Sequence, residues 1–132
     1  KSYVFLTAKK NRTIVFFIKN NLSKIKKMKK MGVKFIKMTP NSSNNFDLIS
    51  VLRQIKLLGF SRIFLESGLK LTKAFLANFL IDDFHLFISQ NSIGRSGKNS
   101  FKKNIEILNK SKRILNNKVN LLGDTLLSFR LK

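Results

Sequence analysis

Apolar and polar positions follow two rhythms along this chain, and the places where the rhythm changes mark its elements. Residues 2–7 alternate and are rich in β-forming side chains, which predicts a buried strand. Residues 8–12 read as a polar turn, and residues 13–18 fit either a further strand or the start of a helix. From Asn21 the spacing turns helical: Leu22, Ile25, Met28 and Met31 share a face, with Lys24, Lys26, Lys27, Lys29 and Lys30 around the rest. Gly32 then stands where a helix C-cap is expected. A strand over 33–38 follows, then a loop over 39–45 with the chain's single proline, Pro40. Residues 46–58 carry apolar side chains at 48, 51, 52, 55 and 58, a helical stripe closed by Gly59.

The pattern continues with a strand over 61–66 and a helix over 69–80 with Leu71, Phe75, Leu76 and Phe79 inward. A strand over 82–89 and a loop over 90–100 come next. Residues 101–117 are too weakly patterned to assign. A hairpin closes the chain, with strands over 119–122 and 125–131 around Gly123-Asp124. Alternating strands and helices predict an α/β fold: a mostly parallel central sheet flanked by helices, with a C-terminal antiparallel hairpin. The 132 residues suit one domain and no internal repeat divides them. Because Lys1 runs directly into a strand pattern, residues 1–132 are expected to be an N-terminally truncated domain.

Composition changes this picture less than its size suggests. A net charge of +21 invites a nucleic-acid partner. Yet only six of the 27 basic residues are Arg, and Lys, Asn, Ile and Phe are abundant together, as in proteins of AT-rich genomes. Readers of bases and phosphates lean on Arg. The lysine cluster over 24–30 also lacks interleaved aromatics, so it reads as a solvated helix face and nucleic acid is not the expected partner. Cysteine is absent, which excludes disulfides and thiolate metal sites and favours a reducing cytoplasm. No apolar run is long enough to span a bilayer.

Candidate chemistry centres on Glu66, placed where an apolar strand meets a helix, the edge at which open α/β sheets bind ligands. A helix cap or a pairing with a nearby lysine accounts for the same carboxylate, and both readings stay open. Gly68 opens the next helix and would let a phosphate approach its amides, with Lys70, Thr72 and Lys73 as further donors. The spaced glycines of a dinucleotide fingerprint are missing. Asp82 and Asp83 are adjacent and would face opposite sides of a strand, a poor arrangement for paired catalytic carboxylates. His85 is the single histidine and suits a structural role within the strand better than a metal site. Arg95 sits between Gly94 and Ser96 in a loop and could touch an anion. No nucleophile stands with a base and an orienting acid, so no side chain is assigned as catalytic and no metal is expected.

Taken together, Phe64-Leu65-Glu66-Ser67-Gly68, the helix ending in Phe79-Leu80-Ile81-Asp82-Asp83, and Leu86-Phe87-Ile88 resemble the reductase domain of riboflavin biosynthesis. In that family an apolar strand ends in Glu-Gly-Gly or Glu-Ala-Gly before a helix, a Leu-Val-Asp-Glu-like segment and another strand. The closing Leu122-Gly123-Asp124-Thr125-Leu126-Leu127 is similar to the family's last hairpin. The resemblance runs through nearly the whole chain, but its central block is the specific part.

The resemblance implies a dihydrofolate-reductase-like fold and NADPH-dependent reduction of 5-amino-6-(5-phosphoribosylamino)uracil to the ribitylamino compound. Glu66 would bind the substrate, and Gly68, Leu69, Lys70, Leu71, Thr72, Lys73 and Ala74 would contact the cofactor. A homo-oligomer is also implied. Ser67 departs from the family's Gly or Ala, and Gln90-Asn91-Ser92 stands where a proline-containing segment is usual. The zinc deaminase domain that precedes many relatives is not in this sequence. Another reductase of the same fold, acting on a pterin- or pyrimidine-like substrate, is the nearest alternative. A basic nucleic-acid-binding module is the more distant one.

Overall fold

The computed structural model describes residues 2–91, 94, 108, 113–114 and 122–132. The chain divides into two compact units, Lys1–Ile63 and Phe64–Lys132. In the first, β1 (Ile14–Phe17) and β2 (Lys34–Lys37) pair in parallel, with Ile14 opposite Lys34 and Phe17 opposite Lys37. Parallel neighbours need a crossover, and α2 (Leu22–Lys30) lies between them in the chain. The side chain of Asn21 starts that helix by accepting from the amide of Lys24 at 3.1 Å. Residues 13–18 therefore resolve to a strand.

Gly32 ends the crossover with φ +92, in the left-handed region that side chains avoid. A Cβ there would lie 2.9 Å from Cγ of Lys9 and 3.0 Å from its Cα and N, so the 8–12 turn packs directly on this glycine. Ala8, Val33 and Met38 are buried in this unit, and Phe17 meets Phe35 edge-on at 6.1 Å. Asn41 organises the following loop by accepting from the amides of Ser43 and Asn45. Asp47 then caps α3 (Leu48–Leu57). Arg12 stacks over Phe60, 5.2 Å from the ring centre, and donates to the carbonyl of Leu58 at 3.3 Å, beyond the last turn of α3.

Two strand expectations give way. Residues 2–7 hold a short helix, α1 (Tyr3–Leu6), closed by Thr7, whose amide and hydroxyl both donate to the carbonyl of Tyr3. Residues 61–66 form no strand and lie in an irregular segment that runs to Gly68. The reason is the same in both places. Strand propensity describes a fit to a neighbouring strand, and no ladder reaches either stretch among the described residues. Tyr3 and Phe64 are accordingly 76% and 86% exposed.

The second unit carries α4 (Leu69–Ala77) and a sheet ordered β3-β5-β4, from β3 (Asp83–Ile88), β4 (Arg113–Ile114) and β5 (Thr125–Arg130). Both ladders are antiparallel. Register follows the alternation of the sequence: Phe84 opposes Phe129 and Leu86 opposes Leu127 on the inner face, against Leu76 of α4 and Leu108. His85 opposes Ser128 and Asp83 opposes Arg130 on the outer face.

Helix α4 stops earlier than its apolar stripe suggests. Phe79 adopts φ +53 just past the Asn78 cap, with its amide donating to Leu76 and that of Leu80 to Phe75, the pattern of a left-handed helix stop. That turn swings Phe79 off the helical stripe to 80% exposure, and Leu71 in the first turn is also exposed, so only Phe75 and Leu76 are buried. Ahead of β5, at the predicted closing turn, Leu122 (φ 53) and Gly123 (φ 101) are left-handed. Residues 119–121, most of 92–100 and most of 101–117 lie outside the described residues.

Two stability outcomes follow from these contacts. Gly32→Ala combines a left-handed φ with a collision against Lys9 backbone and should lose about 2 kcal/mol or more in urea unfolding. Gly59→Ala shares φ +92 but meets nothing within 4 Å, so it should lose only the conformational part, about 1 kcal/mol. Asp47 gives a pH signature. A hydrogen bond from Ser50's hydroxyl holds its carboxyl below the usual 3.8, against partial burial and helped by the amides of Ile49 and Ser50 and by Arg53. A depressed folded-state value stabilises the native chain above the unfolded value and is lost as pH falls through the folded one. Acid titration of stability in Asp47→Asn should therefore show a shallower decline below about pH 4.

Candidate functional site

Glu66 is exposed and lies in the irregular stretch two residues ahead of the Gly68 cap, not at the end of a strand. Among the described residues its carboxylate has no hydrogen bond or ion pair. Among the described residues, then, Glu66 neither caps α4 nor pairs with a lysine. Gly68 caps α4 in an extended conformation (φ −67, ψ 162) and contributes no side-chain cap. The amides of Leu69 and Lys70 find no acceptor among the described residues, while those of Leu71 and Thr72 donate to the carbonyl of Gly68 at 3.1 and 3.2 Å. A helix start with open amides and a partial positive charge receives an anion readily.

Gly68 needs neither a left-handed φ nor a close packing contact, since an added Cβ would meet nothing within 4 Å. Among the described residues no packing contact requires a glycine here, although glycine is tolerated as a helix N-cap. Lys70 is exposed beside it, and Lys73 and Ala74 are half-buried one turn on. Leu69 is half-buried and Leu71 is exposed. These residues fit a cofactor phosphate: open amides, an unobstructed approach and a nearby cation.

Thr72 stands differently from the expectation that it offers a free donor. Its hydroxyl lies 3.0 Å from that of Ser67, 3.3 Å from the carbonyl of Gly68 and 3.4 Å from that of Ser67. This pair had no sequence signal. A Ser and a Thr five positions apart match no capping pattern, and Ser67 read only as a departure from a smaller residue.

The other candidates are brought to the outer sheet face. Asp83 pairs with Arg130 at 3.3 Å and Asp82 with Lys132 at 3.1 Å, both on the surface where such pairs contribute little. His85 Nδ1 lies 2.9 Å from the hydroxyl of Ser128, a cross-strand structural link. Arg95 lies outside the described residues. Two hollows, of about 460 Å³ beside Phe60 and about 280 Å³ beside Phe5, both belong to the first unit and contain none of these residues. Among the described residues no helix is long and apolar enough to cross a membrane.

The fold is α/β and dihydrofolate-reductase-like, with a parallel strand pair in the first unit and an antiparallel sheet in the second. The chain belongs to the RibD C-terminal domain family, whose model matches residues 1–122. Its fold is similar to that of Acinetobacter baumannii RibD (form 2), with a TM-score of 0.56 at 18% sequence identity, covering 89% of this chain. The chain spans 30% of the length of that protein. Comparison with curated proteins returns no match.

If the open amides are what Gly68 serves, Gly68→Ala should change the unfolding midpoint little, because its φ suits alanine while alanine is the poorer N-cap. NADPH affinity, read by quenching of cofactor fluorescence, should fall at least several-fold. Equal affinity would remove Gly68 from the cofactor contact.

Proposed function

We propose that this chain is reductase sequence of riboflavin biosynthesis, acting with NADPH on 5-amino-6-(5-phosphoribosylamino)uracil to form the ribitylamino compound. The observation that carries the reading is a Glu66 without a partner among the described residues, followed by a helix start whose first amides have no acceptor among them, in a chain matched by the RibD C-terminal family. Both compact units fall largely within that match, which supports one reductase domain over residues 1–132. A small-molecule substrate, a homo-oligomer and a cytoplasmic setting accompany this reading.

Each residue has a defined task. The Glu66 carboxylate accepts hydrogen bonds from hydroxyls of the substrate's sugar and so orients the carbon to be reduced. The amides of Leu69 and Lys70 and the Lys70 ammonium hold a phosphate of NADPH, with Gly68 leaving room for its approach. Leu71, Thr72, Lys73 and Ala74 complete the helix face beside that phosphate. When bound, NADPH supplies the hydride, which is why the chain itself needs placement and electrostatics more than a nucleophile or a metal.

Glu66→Gln tests this directly. It keeps the shape and removes the charge, so the KM for the phosphoribosylaminouracil should rise roughly ten- to a hundredfold, as expected for a lost charged hydrogen bond of about 1.5–3 kcal/mol. Kinetics identical to the parent would remove Glu66 from the site. Turnover of a pterin in preference to the pyrimidine, in a substrate panel with NADPH, would move the assignment to another reductase of this fold.

A further inference from the structure

Residues 61–67 hold Glu66 at the candidate site, yet among the described residues this segment makes no backbone–backbone hydrogen bond. No ladder supports it, and Ile63 and Phe64 are exposed. Its described hydrogen bonds all come from one residue, Ser67, through the contact between its hydroxyl and that of Thr72, the Thr72 contact to its carbonyl, and a long 3.5 Å contact to the carbonyl of Gly68. Both side chains are half-buried, which shields the pair from competing water. The donors can be arranged consistently. Thr72 gives its proton to the carbonyl of Gly68 or Ser67, and Ser67 gives its own to Thr72 Oγ1.

We propose that Thr72 is a positioning residue: through Ser67 it fastens the Glu66-bearing turn to the first turn of α4, and so sets where the Glu66 carboxylate meets the substrate. The proposal rests on the assignment of Glu66 to the substrate given above. Physically, an irregular stretch without ladder bonds samples many backbone states, and fixing each residue when substrate binds costs conformational entropy, which weakens binding. One hydroxyl pair adjacent to Glu66 removes much of that freedom. It also gives a use to Ser67, where a smaller residue would leave Thr72 without a side-chain partner.

The test compares Thr72→Val, which keeps the shape and deletes the hydroxyl, with Thr72→Ser, which restores it, and with Ser67→Ala. A Glu-specific protease reads the turn without any need for activity. Glu66 and Glu106 are the chain's two glutamates, so cleavage after Glu106 serves as the internal reference. Expected results are cleavage after Glu66 accelerated at least threefold relative to Glu106 in Thr72→Val and Ser67→Ala, and restored to the parental ratio in Thr72→Ser. At saturating NADPH the KM for the phosphoribosylaminouracil should rise about five- to tenfold in Ser67→Ala with kcat changed less than twofold, rise likewise in Thr72→Val, and recover in Thr72→Ser.

Unchanged cleavage ratios in both hydroxyl deletions would overturn the proposal. Faster cleavage with an unaltered KM would overturn it too, provided that Glu66→Gln raises KM in the same assay. A parent protein that does not reduce the pyrimidine would sink the functional reading instead, and the cleavage ratios would still decide whether the hydroxyl pair holds the turn.

Discussion

Phe129 is 2% exposed near the C-terminal end of β5, where it packs with Leu76 of α4 and the fully buried Leu108. Everything proposed for the site depends on this contact, because it fixes α4 against the sheet and thereby fixes the helix start that Gly68 opens. Burying side chains of this size contributes about 1.5–3 kcal/mol each, a large share of a small domain's net stability. The β3–β5 register makes it possible, since Phe84, Leu86, Leu127 and Phe129 all point to one face. A slip of one residue would turn every one of them outward.

On this frame the polar chemistry is sparse and local. Most of the acids that could confuse the picture are accounted for: Asp47 caps a helix, and Asp82 and Asp83 pair with Lys132 and Arg130. Among the described residues the Glu66 carboxylate has no partner, and the amides of Leu69 and Lys70 that follow it in the chain have no acceptor. A carboxylate on one side and a partial positive charge on the other suit a ligand bearing hydroxyls at one end and phosphate at another. The abundance of lysine gives a field that favours anions in general, and it places no individual group.

Much of this was legible before any coordinates. The stripes of Leu22 to Met31 and of Leu48 to Leu58 became α2 and α3, Gly32 and Gly59 took the left-handed stops, and the alternation over 82–89 became β3. The proposed site was likewise centred on the triplet Glu66-Ser67-Gly68 from the sequence alone. Less legible were the stretches whose state depends on a partner. Residues 2–7 coil into α1 and residues 61–66 stay irregular, although both carry strand-forming side chains. Phe79 looks inward on a helical wheel and is turned out by a left-handed stop.

The division has one physical cause. Helix periodicity, caps and glycine stops are local, satisfied within a turn or two of backbone, so the sequence alone determined α2, α3, the body of α4 and the family pattern around Glu66. Strand pairing, exposure and the meeting of two hydroxyls require groups that are distant or differently spaced in the chain. Only the tertiary structure could decide that β3 lies against β5, that Glu66 is held outside any ladder, and that Thr72 reaches back to Ser67.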